Sequence, residues 1–256
     1  ATYDKICGFH GPGFVYESCR AEENYHQNLS WFEQRPHSFR SRFALAKDAF
    51  ALASLRVDGN RLADARRLFH EVGGMVPNSY GILNLLGEVE LKTGHPGAAI
   101  KLLEQSLDIT QGSKYANHSL VLKGEAYRTL GQPQKAVEGL SDNVLNLYPN
   151  RGEAYYTRGA SYFTLGRYFW AIDDLNTSIQ ADPSRPMAYD YLGQAYAKIG
   201  HRELAITNFD KAIGLDPEFG SAYYNRALAN VLRGNHAEAE RDADQAIALG
   251  LNPVQV

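Results

Sequence analysis

The fold is decided by residues 186–219, PMAYDYLGQAYAKIGHRELAITNFDKAIGLDPEF. Apolar and small side chains recur there three and four residues apart, before and after a turn predicted at Ile199-Gly200-His201, and this spacing places them on one face of each of two helices. Pro217 ends the second helix, because proline lacks the backbone N–H and disfavours the helical conformation in the preceding residue. The patterned residues are Tyr189, Leu192, Gly193 and Tyr196 before the turn and Ala205, Ile206, Phe209, Ala212 and Ile213 after it.

Copies of this helix pair lie on both sides of it. A small residue near the middle of each first helix recurs at a nearly constant interval, and an alanine follows each one at a fixed separation. Small side chains let two helices approach closely, and one pair cannot bury its apolar face alone, so the copies predict a solenoid of stacked pairs. The aligned residues are Ala53, Gly87, Gly124, Gly159, Gly193 and Ala227, followed by Ala65, Ala99, Ala136, Ala171, Ala205 and Ala239.

This pattern resembles the tetratricopeptide repeat family, whose unit is about 34 residues long. The resemblance implies an all-α fold, a right-handed superhelical solenoid of about six helix-turn-helix repeats over residues 46–253, most regular over residues 117–219 and followed by a tail at 254–256. One departure is Arg158, which stands where leucine is usual. The residues that match the family's pattern in the 186–219 unit are Tyr189, Leu192, Gly193, Tyr196, Ala205, Phe209, Ala212 and Pro217.

Residues 1–45 do not follow the repeat. Glycine and proline concentrate in ICGFHGPGFVYESC at residues 6–19, which predicts a compact loop, and RAEENYHQNLSWFEQ at residues 20–34 has the spacing of one helix. We expect this leader to be an N-terminal cap over the first repeat, since a terminal repeat has no neighbour on one side. The alternative is that the leader is a ligand for another protein.

The only two cysteines of the chain, Cys7 and Cys19, lie in the leader. A pair across a short loop in an oxidising compartment predicts a disulfide. Two free thiols, or a zinc site with His10 and His26, are the alternatives. The chain begins without Met, as a processed exported protein or an excised piece of a longer chain would. These features favour a periplasmic or secreted location slightly over the cytoplasm.

The composition and the motifs of the sequence limit the classes of function that we expect for this protein. The formal net charge is −3 and the pI about 6.3, which argues against a nucleic-acid partner. No apolar run approaches the roughly 18 residues of a membrane span, so no direct membrane insertion is expected. The sequence has no phosphate-binding, serine-hydrolase, zinc-protease or dinucleotide motif. It therefore predicts neither an enzyme nor a bound cofactor or metal.

The resemblance also implies a binding surface, a concave groove that is lined by the first helices and holds a partner protein or peptide. Aromatic side chains suit such a groove as exposed anchors, because they offer a large contact area with few rotors to freeze. Family members that hold a C-terminal carboxylate use Lys, Asn and Arg. The corresponding residues here are Tyr156, Asp190 and Tyr224, so no tight binding of an acidic tail is expected. The expected groove residues are Asn84, Glu88, Glu125, Arg128, Tyr156, Phe163, Tyr191, Gln194, Tyr224 and Asn225.

The sequence therefore predicts a non-enzymatic scaffold that binds a partner protein or peptide. Two alternatives stay open. The chain could be the targeting or regulatory portion of a larger enzyme or of a secretion or assembly complex, or it could be an adaptor that self-assembles into a homo-oligomer.

Overall fold

A computed structural model describes residues 27–28, 34, 38–56, 59–75, 78–111, 113, 115–146 and 152–251. Within these residues all regular secondary structure is helical, which confirms the predicted all-α class. The leader loop, with Cys7 and Cys19, lies outside them. The helices are α1 (Phe39–Arg56), α2 (Gly59–Met75), α3 (Tyr80–Lys92), α4 (Pro96–Ile109), α5 (Ala116–Thr129), α6 (Pro133–Gly139), α7 (Asp142–Leu145), α8 (Gly152–Thr164), α9 (Tyr168–Ala181), α10 (Pro186–Lys198), α11 (Arg202–Leu215), α12 (Gly220–Arg233) and α13 (His236–Ala248).

Contacts divide the chain into two compact units, residues 1–126 and 127–256, and the division falls within α5. In the first unit, α1 packs on α2, α2 on α3 and α3 on α4. Asn28, in the predicted leader helix, donates a hydrogen bond of 2.6 Å to Asp48 on α1. The described core side chains of this unit include Leu45, Ala46, Ala65, Leu68, Phe69, Val72, Ile82, Leu86 and Val89 in one cluster and Ala99, Leu103, Leu122 and Ala126 in another.

In the second unit the helices pair in chain order, α8 with α9, α10 with α11 and α12 with α13. Each pair also packs on the next, through contacts of α9 with α10 and of α11 with α12. This is the predicted stack, in which a pair buries its apolar face against its neighbour. The buried residues that join the pairs include Tyr156, Tyr162, Ala171, Leu175, Ala188 and Leu192 in one cluster and Ala205, Phe209 and Ala229 in another.

In the five pairs from α3 onwards, the turn between the two helices contains a glycine in the left-handed conformation. At Gly200, φ is +85°, the Gly200 N–H donates to the carbonyl of Ala197 at 3.1 Å, and the His201 N–H donates to that of Tyr196 at 2.9 Å. Glycine adopts this conformation without the steric cost that a Cβ would add. The turn predicted at residues 199–201 is thereby confirmed, and the equivalent glycines Gly94, Gly131, Gly166 and Gly234 also have positive φ.

The aligned small residues permit close helix approach, as predicted. A Cβ built on Gly193 would lie 2.6 Å from the ring of Phe209 and 3.0 Å from the carbonyl oxygen of Ala205, both on the partner helix. Built on Gly87, it would lie 2.9 Å from Leu103. The aligned alanines of the second helices are buried as well: Ala65, Ala99, Ala136, Ala171 and Ala205 have no exposed surface.

The prediction of greatest regularity over residues 117–219 is wrong at one place. The second helix of the third repeat is broken into α6 and α7. The break leaves the carbonyl of Leu140 outside any helix, and this carbonyl accepts a hydrogen bond of 3.0 Å from Nη1 of Arg158. The same nitrogen donates to Asp142 at 2.7 Å. Arg158, the departure from the family pattern, therefore binds both sides of the break.

Candidate protein-binding surface

Four side chains of the predicted groove meet in the second unit and are called here the tyrosine cluster: Arg128, Tyr156, Phe163 and Tyr191. They come from α5, α8 and α10, the first helices of three successive repeats. Tyr191 lies at the centre, with its ring centroid 6.0 Å from that of Tyr156 and 5.6 Å from that of Phe163, both edge to face. Nη1 of Arg128 donates to the Tyr191 hydroxyl at 3.2 Å. The ring of Tyr191 is thus fixed from three sides.

Tyr156 lies deeper than the sequence predicts. Only 9% of its surface is exposed, because the Tyr191 ring packs on it and the Arg185 guanidinium lies 5.3 Å from its ring centroid. Its hydroxyl donates to the sulfur of Met187 at 3.6 Å. The expectation of an exposed anchor at Tyr156 is therefore wrong. The accessible parts of this surface are the half-buried Phe163 and Tyr191 rings and Met187, which is 51% exposed.

Gln194 and Asn225 are brought together by Asp190. The Gln194 amide donates to one carboxylate oxygen of Asp190 at 2.9 Å, and the Asn225 amide donates to the other at 2.8 Å. The second bond joins α10 to α12. Asp190 is only 4% exposed, and burial raises the pKa of its carboxyl despite the two amide donors. In the sequence, Asp190 stood out only because it lies where the carboxylate-binding members of the family have Lys, Asn or Arg. One feature of the sequence could have pointed to the role of Asp190: it is an acidic residue at the repeat position that holds Tyr156 and Tyr224 in the neighbouring repeats.

One face of α12 carries exposed apolar side chains. Leu228, Val231 and Leu232 are 45%, 49% and 62% exposed, and they follow the half-buried Tyr224 at helical spacing. This set of four residues is called here the α12 strip. Tyr224 was predicted from the repeat pattern, whereas the exposure of Val231 and Leu232 was not predicted.

The predicted groove residues of the first unit differ in exposure. Asn84 is 5% exposed and accepts a hydrogen bond of 2.7 Å from the Ser119 hydroxyl, so the expectation that it is exposed is wrong. Glu88 is half-buried and lies 3.9 Å from Lys92 one turn later, while Glu125 is exposed. A cavity of about 390 Å³ opens beside Asn84. Its lining residues are Tyr80, Gly81, Asn84, Leu85, Tyr115, Asn117 and His118.

The buried carboxylate Glu90 of the first unit is paired with basic side chains. In the first unit, Glu90 is 1% exposed and lies 2.9 Å from Nε of Arg66 and 2.6 Å from Nε2 of His70. Burial opposes ionisation of this carboxyl, but the hydrogen bonds from Arg66 and His70 outweigh it and lower the pKa of Glu90. No group of three His, Cys, Asp or Glu side chains in the described ranges could hold a metal ion, and no described helix is long and apolar enough to cross a membrane.

Stacked helix pairs with a polar and aromatic face of first helices define a protein-binding scaffold of the helical-repeat class. A family model described as tetratricopeptide repeat matches residues 50–114 and 192–253. This match identifies the chain as a member of the tetratricopeptide repeat family. No protein with a curated description matches the chain.

Three solved structures illustrate the likeness. MamA from Desulfovibrio magneticus RS-1, from residue 41 to the end, is 28% identical over 66% of this chain and 94% of its own, with a TM-score of 0.56. TTC0263 from Thermus thermophilus is 20% identical over 76% of this chain and all of its own, with a TM-score of 0.62. The Cut9–Hcn1 hetero-tetramer of the APC/C has a chain 17% identical over 94% of this one and 46% of its own, with a TM-score of 0.77. The last two likenesses establish the fold alone.

Proposed function

We propose that this protein is a non-enzymatic scaffold that binds a partner protein or peptide on the first helices of its second unit, at the tyrosine cluster and the adjoining residues. The observation that carries the proposal is the fixed ring of Tyr191, held by Tyr156, Phe163 and Arg128. Aromatic and arginine side chains supply most of the energy of protein interfaces when they are held in place before binding. A ring with three neighbours has little conformational freedom left to lose.

The side chains around the tyrosine cluster include apolar, cationic and amide groups. Phe163, Tyr191 and Met187 offer apolar surface, and the two guanidinium groups of Arg128 and Arg185 each lie beside a tyrosine. The half-buried amides of Gln194 and Asn225 lie on the same row of first helices and can pair with a peptide backbone. This combination suits an extended or helical segment with apolar anchors.

Site-directed photo-crosslinking tests the proposal. A benzophenone amino acid replaces Phe163, and the matched control places it at Phe169 on α9, the second helix of the same repeat, which is 74% exposed. In extract of the source organism, we expect a discrete protein adduct from position 163 that is absent from position 169 and is lost when Tyr191→Ala is added. An adduct from position 169 alone would place the binding surface elsewhere. An adduct with a second copy of the chain would favour the self-assembling alternative.

A further inference from the structure

The carboxyl group of Asp190 is buried without a compensating charge. It accepts hydrogen bonds from two neutral amides, Gln194 and Asn225, and no Lys, Arg or His of the described residues lies within ion-pair distance of it. Amide donors satisfy the oxygen lone pairs but do not cancel the charge, so burial remains costly.

The other two buried aspartates described in the second unit are each paired with an arginine. Asp174 takes two hydrogen bonds of 2.7 Å from Arg158, and Asp242 takes bonds of 2.8 and 2.6 Å from Arg226. Both belong to second helices, α9 and α13. Asp190 belongs to a first helix, in the row that carries the proposed binding surface. The chain neutralises the two aspartates of second helices and leaves the one on the binding row without a cation.

A cation from outside can reach Asp190, which is only 4% exposed, by displacing Gln194 from its carboxylate. Gln194 lies one turn further along α10 and is half-buried, and its long side chain can turn aside without disturbing the helix. Asn225 stands next to Tyr224, the first residue of the α12 strip. Asp190 itself lies one helical turn after Met187, whose side chain is 51% exposed, and Asn225 joins it to α12, the helix that carries the strip.

We propose that the partner segment places a Lys or Arg side chain on Asp190, flanked by apolar residues that contact Met187 and the α12 strip. The inference rests on the proposed function and deepens it by giving the partner's chemistry: a basic residue within an apolar segment. A cationic side chain would cancel the buried charge and take over the hydrogen bond of Gln194. The same carboxylate repels an acidic ligand, which is the opposite of a cationic clamp for a carboxylate tail.

Selection from a random-peptide phage library tests the inference. Three proteins are used: the wild type, Asp190→Asn, and the double variant Phe163→Ala/Tyr191→Ala. We expect the wild type to select peptides with a Lys or Arg at a fixed place among apolar residues. Asp190→Asn should keep the apolar preference and lose the basic one, and the double variant should select no common sequence.

The outcomes separate the two proposals. Peptides selected equally by the wild type and Asp190→Asn, without a basic preference, overturn the inference and leave the proposed function intact. A wild type that selects no common sequence overturns both. The preference is then measured by fluorescence anisotropy with the best wild-type peptide and its Lys→Met or Arg→Met counterpart. We expect about tenfold weaker binding for the Met peptide on the wild type, as for close charge pairs at interfaces, and no difference on Asp190→Asn. The comparison on the wild type needs no variant to fold.

Discussion

The guanidinium of Arg158 binds the carboxylate of Asp174, on the second helix of the same repeat, through Nε and Nη2 hydrogen bonds of 2.7 Å each. The two side chains are 8% and 5% exposed. The pair recurs two repeats further on, where Arg226 donates to Asp242. The repeat between them has Leu192 and Asn208 at the equivalent positions. At these equivalent positions of a first and a second helix, the second unit therefore has a charged pair in two repeats and uncharged residues in the repeat between them.

Removing one partner of the Arg158 pair should destabilise the second unit strongly. Arg158→Ala leaves the Asp174 carboxylate buried without its cation, which costs about 3–5 kcal/mol in measured cases. The double change Arg158→Leu/Asp174→Asn copies the pair of the following repeat and should cost much less. Urea unfolding followed by circular dichroism measures both. Equal losses for the single and double variants would contradict this account of the contact.

Close approach at Gly193 should make that position intolerant of any side chain. In Gly193→Ala the new Cβ would lie 2.6 Å from the Phe209 ring, so the two helices must separate, at about 1–3 kcal/mol. Gly214 lies in α11, the helix of Phe209, with nothing within 4 Å of an added Cβ. Gly214→Ala should instead stabilise by about 0.5–1 kcal/mol, because glycine is the poorer helix former. Thermal unfolding of the two variants compares them, and a harmless Gly193→Ala would show that the interface is loose.

The sequence predicted these helix pairs because their signals are local and periodic. Gly200 and Pro217 act within their own turn, and the spacing of Gly193 and Ala205 fixes which faces meet. The burial of Tyr156 could not be predicted in the same way. It depends on Tyr191 and Arg185, which belong to the next repeat or to the turn before it, and on which rotamers they adopt.

The break between α6 and α7 escaped prediction for a related reason. The residues around the break, GLSDN at 139–143, favour helix caps and turns, but the regular repeat alignment predicted one helix through them, and the group that binds both sides is Arg158, in the following repeat. The sequence marked Arg158 as a departure from the family pattern without showing what it contacts. The same limit applies to the candidate site: the repeat pattern placed Gln194 and Asn225 on the first helices, but only the structure joins them through Asp190.

Glu90 should make the first unit less stable in acid. Its folded-state pKa is lowered, so its contribution is present above the unfolded pKa, about 4.3, and is lost as the pH falls through the folded value. Glu90→Gln keeps the shape and removes the charge, and it should cost about 1–3 kcal/mol at pH 7. The difference in unfolding free energy between the wild type and this variant should shrink from pH 6 to pH 3. A constant difference would mean that the charge of Glu90 has no part in it.

Asp190 should show the opposite pH dependence in the second unit. Its pKa is raised by burial, so its contribution to stability is greatest when the carboxyl is protonated and is lost as the pH rises through the folded value. Asp190→Asn should therefore be at least as stable as the wild type at pH 7, because the variant has no carboxyl to ionise at this buried position. Unfolding at pH 4 and pH 7 tests the sign. An advantage of the wild type that grows with pH would show that the ionised form is the favoured one.

Within the tyrosine cluster, we expect substitution of Tyr156 to lower mainly the stability and substitution of Phe163 to lower mainly the affinity for the peptide. Tyr156→Ala empties a site that is 9% exposed and removes support for Tyr191, so we expect a loss of about 3–5 kcal/mol in unfolding free energy. Phe163 is half-buried, so Phe163→Ala should cost less stability. It should weaken the binding of the selected peptide by about 1–3 kcal/mol. The matched control is Phe169→Ala, 74% exposed on α9, which should change neither quantity. Denaturation and fluorescence anisotropy on the same three variants measure both effects. Peptide affinity that follows Phe169 instead of Phe163 would move the anchor from the first helix of this repeat to the second.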